Sequence, residues 1–220
     1  MYVPPAFQSD RAASLAFAAA RGFGLVVACG NGRPHASLLP FRLAFAPDGT
    51  PRAAFHVARN NPLAAAAAQG GHWLVAVTGA DAYVSPDWYA SQDQVPTWLY
   101  RAVHLSGSVR VMDRAELQQH VDELTDTFEA WLAPKPPWTA DKVTSGRRTQ
   151  LMKAIVGIEM EVETVEGSFK LNQHKSDADH VAVAGALAAR SDAGSQAIAA
   201  ELVALRPHLT YQQPAPAYGK

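Results

Sequence analysis

The alternation of apolar and polar positions divides the chain into strand-like and helix-like stretches. Ser9 or Asp10 precedes the run Arg11 to Arg21, with Leu15 and Phe17 among its apolar positions and Gly22 beyond it, which predicts a capped helix. From Gly24 to Ala58, apolar runs separated by Gly30-Asn31-Gly32 and Pro47-Asp48-Gly49 predict three antiparallel strands. Asn61-Pro62 ends the third and opens a short alanine-rich helix that stops at Gly70-Gly71. His72 to Gly79 predicts a fourth strand and Thr97 to Val111 a long fifth, with an aromatic stretch between them beyond Ala80-Asp81. Leu117, Val121, Leu124, Phe128 and Trp131 then recur at helical spacing behind Asp113, a capping residue. The proline-rich segment 133–138 interrupts, and a second helix is expected over Asp141 to Lys153. In Ile155 to Val165, Ile158, Met160 and Val162 alternate with Glu159, Glu161 and Glu163, the pattern of a half-buried sixth strand. Gly167 reads as a turn, followed by helices over Ser176 to Arg190 and Ser191 to Arg206 and a frayed end, 212–220.

Six strands joined by hairpins, with helices inserted at their ends, predict a mainly β protein with helices (α+β) built on a closed or nearly closed antiparallel barrel. A doubly wound fold requires strand and helix to alternate, and here they do not. With 220 residues, 48% of them hydrophobic and 18% charged, the chain can bury one large core and carry a helical appendage.

Composition narrows the chemistry. A net charge of -1 provides no global field toward nucleic acid or an anionic membrane. The single cysteine, Cys29, excludes an intramolecular disulfide framework and a multi-cysteine metal site and fits a reducing cytoplasm. Its place in the run GLVVAC predicts a small buried residue. No apolar run is long enough to span a bilayer, and no basic or hydrophobic leader precedes Asp10, so a cytoplasmic location without membrane partners is expected. A Walker loop, GxGxxG, GxSxG and HExxH are all missing, and the eight histidines are scattered, which leaves no metal site expected.

Three stretches remain as candidate chemistry. If the strands carrying SLLPFRL and FHVARNNP are neighbours, Ser37, Leu38 and Pro40 lie alongside His56, Ala58 and Arg59, and the second strand leads into Asn60, Asn61 and a helix start. That end offers N–H groups, a guanidinium and amides to an anion such as the phosphate of a mononucleotide; the plainer reading is a turn in which Asn60 caps the helix. Arg147 and Arg148 with Lys142 and Lys153 form a basic face, read either as a DNA contact or as a solvated helix surface. From Ala82 to Gly107, Tyr83, Trp88, Tyr89, Trp98 and Tyr100 gather around Pro86 and Pro96, as in a pocket wall, a subunit contact or plain core. Trp98 and Tyr100 share one face of the strand, and Leu99 points to the other.

These residues together resemble the PaiB family of FMN-binding negative transcriptional regulators. The likeness is carried by MYVPPAF, LLPF, HVARNNP, AYVSPDWY, VPTWLYRAVHLSG, PW and IVGIEMEVETVEGSFKLNQHK, spread over most of the chain. It implies an FMN-binding split barrel of six antiparallel strands with peripheral and C-terminal helices, spanning 1–175, and a helical extension, 176–220, packed on the same domain. It also implies a homodimer with the flavin at the subunit interface. By resemblance the flavin's neighbours are Ser37, Leu38, Leu39 and Pro40, with His56, Val57, Ala58 and Arg59 beside them and Asn60 and Asn61 toward the phosphate. Thr97, Trp98 and His104 are expected from the long strand, and Lys170 and Gln173 from the last block. The chain departs from the family where WNY becomes Trp98-Leu99-Tyr100 and KLSQNR becomes Lys170-Leu171-Asn172-Gln173-His174-Lys175. Contact with DNA follows from the resemblance alone. Alternatives on the same fold are an FMN-dependent oxidoreductase of the pyridoxine phosphate oxidase-like class, with His56 or His104 in proton transfer, a haem-binding split-barrel protein, and a barrel that has lost its ligand.

Overall fold

The computed structural model of the chain describes residues 1–30 and 32–211. Asn31 of the first predicted turn and the frayed end at 212–220 lie outside the described residues. The elements in chain order are β1 (Gln8–Ser9), α1 (Arg11–Arg21), β2 (Phe23–Gly30), β3 (Arg33–Pro40), β4 (Arg42–Phe45), β5 (Pro51–Ala58) and α2 (Pro62–Ala68). They continue with β6 (His72–Val84), β7 (Thr97–Val111), α3 (Arg114–Ala130), α4 (Ser145–Lys153), β8 (Ile155–Lys170), α5 (Asp177–Ala188) and α6 (Ala193–Leu205). The strands form an eight-stranded, mainly antiparallel sheet in the order β3-β2-β6-β7-β8-β5-β4, with β1 paired to β8.

The expected fold class holds, but the sheet has eight strands rather than six. Between Gly24 and Ala58 there are four strands and not three, because Phe41 buries its ring and donates its backbone N–H to the Gly22 carbonyl at 2.9 Å, which breaks β3 from β4. β1 is the other addition. β6 runs on through Ala80 and Asp81 instead of ending there, and Gly167 continues β8 instead of turning it. Gly167 lies opposite Ser9, where an added Cβ would come within 2.1 Å of the Ser14 hydroxyl, so glycine there permits a close approach rather than a bend. α4 starts only at Ser145, after a separate 3-10 turn at Ala140–Lys142. Cys29 is exposed, not buried, because β2 points it outward opposite Pro34.

Two compact units are distinguishable. One comprises Met1–Ser14, Thr78–Val103 and Glu166–Lys220; the other comprises Leu15–Val77 and His104–Val165. In the second unit the inward residues of the strands, among them Val26, Phe55, Val75, Ile158 and Met160, are buried, and Phe55 stacks on Trp73 at 6.3 Å. α3 begins at a capping box in which Asp113 accepts from the Glu116 amide and Glu116 accepts from the Asp113 amide. In the first unit Val84, Tyr89, Leu99 and Leu171 join Val183, Leu187, Ile198 and Leu202 of the two C-terminal helices in one apolar cluster. Helices rich in alanine are held there by tertiary packing rather than by propensity alone.

Candidate functional site

In the unit made of Leu15–Val77 and His104–Val165, the strand neighbours differ from those expected. β3 pairs with β2, and β5 pairs with β4 and β8, so Ser37 and His56 do not sit on adjacent strands. They are nevertheless linked through the end of β5. Asn61 caps α2 by accepting from the Leu63 amide at 2.9 Å, and its side-chain amide donates to the Ser37 hydroxyl at 3.0 Å. The cap is therefore Asn61 and not Asn60. Ala58, Arg59 and Asn60 are exposed at the same end, with Asn60 immediately before the capping residue. The Arg59 guanidinium donates to the carbonyls of Lys153 and Ile155 at 2.8 and 3.0 Å, which fastens it to the junction of α4 and β8.

His56 takes a different role. It is on the face of β5 covered by α3, where its Nδ1 lies 3.1 Å from Nε2 of His120. Burial lowers the pKa of His56, and burial, His56 and Arg42 together lower that of His120 to about 4. The pair is neutral at pH 7, so one ring donates and the other accepts. His120 is only 3% exposed, and its Nδ1 has no partner among the described residues. Arg42 itself pairs with Glu123 of α3. Val57 points the opposite way, into the core.

The outward face of the β3–β2–β6 part of this unit is apolar, whereas β5 and β8 carry Arg52, Glu159 and Glu161. Opposite pairs in the β2–β3 ladder are Phe23 with Pro40, Leu25 with Leu38, Val27 with Ala36 and Cys29 with Pro34, and β6 adds Ala76 opposite Leu25 and Leu74 opposite Val27. Side chains directly opposite share a face, so none of these ten positions brings a charge to it. Leu38 is 65% exposed. Leu39, on the other face of β3, is half-buried, and His104 on β7 is half-buried as well.

The remaining expected residues belong to the unit of Met1–Ser14, Thr78–Val103 and Glu166–Lys220. Lys170 donates to the Thr97 hydroxyl at 2.6 Å and lies 5.4 Å from the Phe7 ring centre. Trp98 is 51% exposed and meets Tyr83 edge to face at 6.0 Å. Gln173 is occupied within its own turn, accepting from the Leu171 amide at 2.7 Å and donating to the Phe169 carbonyl. Ser91 donates through both its amide and its hydroxyl to Asp179 at 2.9 Å, and Lys175 donates to Gln94 at 2.6 Å, so the loop before β7 is pinned to the start of α5.

The apolar stripe Leu117, Val121, Leu124 leaves His120 outside, so helical periodicity alone does not mark it. The buried positions of α3 are Leu117, His120 and Leu124. The available signal was its spacing of three from Leu117 and four from Leu124.

An antiparallel sheet of this order, with helices covering its ends, defines the class of FMN-binding split-barrel proteins. The fold recurs in the FAD and heme binding protein of Mycobacterium smegmatis (TM-score 0.54, 20% identity, 74% of this chain and 73% of that one). It recurs also in the conserved hypothetical protein Rv2991 of Mycobacterium tuberculosis (TM-score 0.52, 12% identity, 77% and 91%). The profile of the family described as "Putative FMN-binding domain" matches residues 1–164, and the chain belongs to that family, whose cofactor is FMN. The protease synthase and sporulation protein PAI 2 of Bacillus subtilis (strain 168) is 31% identical over 185 residues, covering 83% of this chain and 87% of that protein. The donor set at the end of β5 fits such a cofactor. Ser37, Asn60 and Asn61 present hydrogen-bonding side chains and Arg59 a fixed positive charge, which is what a phosphomonoester requires.

Proposed function

We propose that the protein is an FMN-binding homodimer of the cytoplasm that acts as a transcriptional regulator of the PaiB type. The observation that carries the reading is the end of β5, where Ser37, Asn61 and the exposed Arg59 and Asn60 gather donors for the flavin phosphate next to an uncharged sheet face. That face, from Phe23 and Leu25 across to Leu38 and Pro40, is where a second subunit covers apolar surface and closes the flavin site. When bound, the flavin supplies reversible hydride or single-electron chemistry. The chain's residues orient and shield it: Leu38 and Pro40 offer an apolar face, with Leu39 behind them on the other side of β3, while Arg59 and the two asparagines hold the phosphate. Thr97, Trp98, His104, Lys170 and Gln173 are candidate flavin contacts by the family likeness alone, with an exposed indole at Trp98 and the Lys170 ammonium on the Thr97 hydroxyl. The regulatory half of the reading rests on the family likeness.

Titration of FMN into the protein, followed by flavin fluorescence, tests the site. Arg59→Ala should weaken binding by about tenfold, the loss of one charge-assisted contact. Affinity unchanged in Arg59→Ala would move the phosphate elsewhere. A salt-titrated gel shift with the gene's own upstream region tests regulation: retention of that DNA above unrelated DNA supports it, and equal retention removes it.

A further inference from the structure

A cleft of about 500 Å³ opens in the unit that holds α3 and α4, walled by the start of α3, one side of α4 from Ser145 to Lys153, and the start of β8. Its size falls within the roughly 300–1,000 Å³ typical of small-ligand sites. Four cationic side chains line it: Arg59, Arg114, Arg148 and Lys153. Arg148 is paired with Asp122 at 2.6 Å. Arg59 is bonded only to carbonyls, and Arg114 and Lys153 have no carboxylate partner among the described residues. The one carboxylate on the wall among the described residues is Asp113, which accepts from the amides of Ala115 and Glu116 as the cap of α3. Three uncompensated cations around a concavity leave a local positive field in a chain whose net charge is -1. Leu117, Met152 and Val156 form an apolar part of the same wall.

We propose that this cleft is a second anion site that binds an organic polyphosphate, a nucleoside diphosphate or triphosphate, with the phosphates on Arg114, Lys153 and Arg59 and the base against Leu117 and Met152. The uncompensated charge exceeds what one phosphomonoester neutralises, and the apolar wall suits a planar base more than it suits inorganic phosphate. A flat DNA surface is the lesser fit: Arg147, an exposed cation of α4, is not on the wall, and the cations converge on a concavity. The site does not depend on the flavin reading, although Arg59 borders both.

Calorimetric titration of the full chain with ADP and with pyrophosphate, at low salt and with and without saturating FMN, tests the proposal. ADP should bind more tightly than pyrophosphate, and binding should persist in the presence of FMN, weakened by no more than about tenfold because the two sites share Arg59. The double variant Arg114→Glu/Lys153→Glu should lose at least about tenfold in affinity, because two of three phosphate contacts are reversed in charge. Both side chains are exposed, and an unchanged thermal unfolding midpoint by circular dichroism checks that the fold is intact. Arg147→Glu, on the same helix but outside the wall, should stay within about twofold of the parent. No binding at millimolar ADP would overturn the proposal. So would an equal loss in Arg147→Glu, which marks general surface charge, or displacement of ADP by FMN, which makes the cleft the flavin phosphate site. Loss of FMN binding with retained ADP binding would refute the flavin assignment and leave this one standing.

Discussion

Leu99 stands where the resembling family carries an amide, and its surroundings give the reason. It is 0% exposed in an apolar cluster with Val84, Leu187 and Ile198, where the one tyrosine, Tyr89, already turns its hydroxyl to Asn172 at 3.4 Å. Leu99→Asn should destabilise the protein by about 2–4 kcal/mol, through lost packing and an unpaired buried amide, and leave FMN affinity unchanged. Urea denaturation with a parallel FMN titration checks both; tighter flavin binding in the variant would show that the amide had a cofactor role. At His120 the buried neutral ring makes stability depend on pH. Its folded pKa, about 4, is below its unfolded value near 6.5. The unfolded chain therefore binds the proton first, so the stabilising neutral form is fully effective above about pH 6.5 and is lost as pH falls toward 4. The loss is about 3 kcal/mol, the free energy of a shift of that size. Denaturation midpoints of His120→Gln should fall less steeply than the parent's between pH 6.5 and 4; parallel curves would remove the pair as the source.

At the scale of elements, the period-two and helical patterns locate nearly every strand and helix, and the misjudged strand ends share a cause. Three came from a backbone contact distant in sequence: Phe41 bonded to Gly22, Gly167 paired with Ser9, and β6 carried through Ala80 by its place in the sheet. Local turn propensity has no access to such contacts. The HVARNNP segment is legible as a strand running into a capped helix, but strand pairing is not, so the sequence sets His56 beside Ser37 whereas it faces α3. Gly107 shows how closely two elements can meet. A Cβ there would stand 1.7 Å from the Glu161 carbonyl oxygen on β8, a backbone atom that cannot swing aside. Gly107→Ala should destabilise the β7–β8 pair by more than about 3 kcal/mol, measured as a lowered urea midpoint. A variant as stable as the parent would mean that the strands are not held this tightly.

For the whole molecule, the pattern of β2 bears on assembly. FGLVVACG is apolar at both parities, whereas an antiparallel strand with one wet face alternates. The ladder explains it by setting Phe23, Leu25, Val27 and Cys29 opposite Pro40, Leu38, Ala36 and Pro34. A face of that kind suits a partner subunit, and a charge at its centre should prevent the contact. Leu38→Asp should elute as a monomer in size-exclusion chromatography with light scattering, at a concentration where the parent is a dimer. A monomeric parent, or a dimeric variant, would place the subunit contact elsewhere.

FMN binding is the claim on which the rest depends, and the most direct measurement is the visible absorption and fluorescence of the purified chain after addition of FMN and removal of excess by gel filtration. The account predicts a retained flavin band at one FMN per chain, with its fluorescence quenched. A spectrum free of flavin after incubation at high micromolar FMN would contradict it.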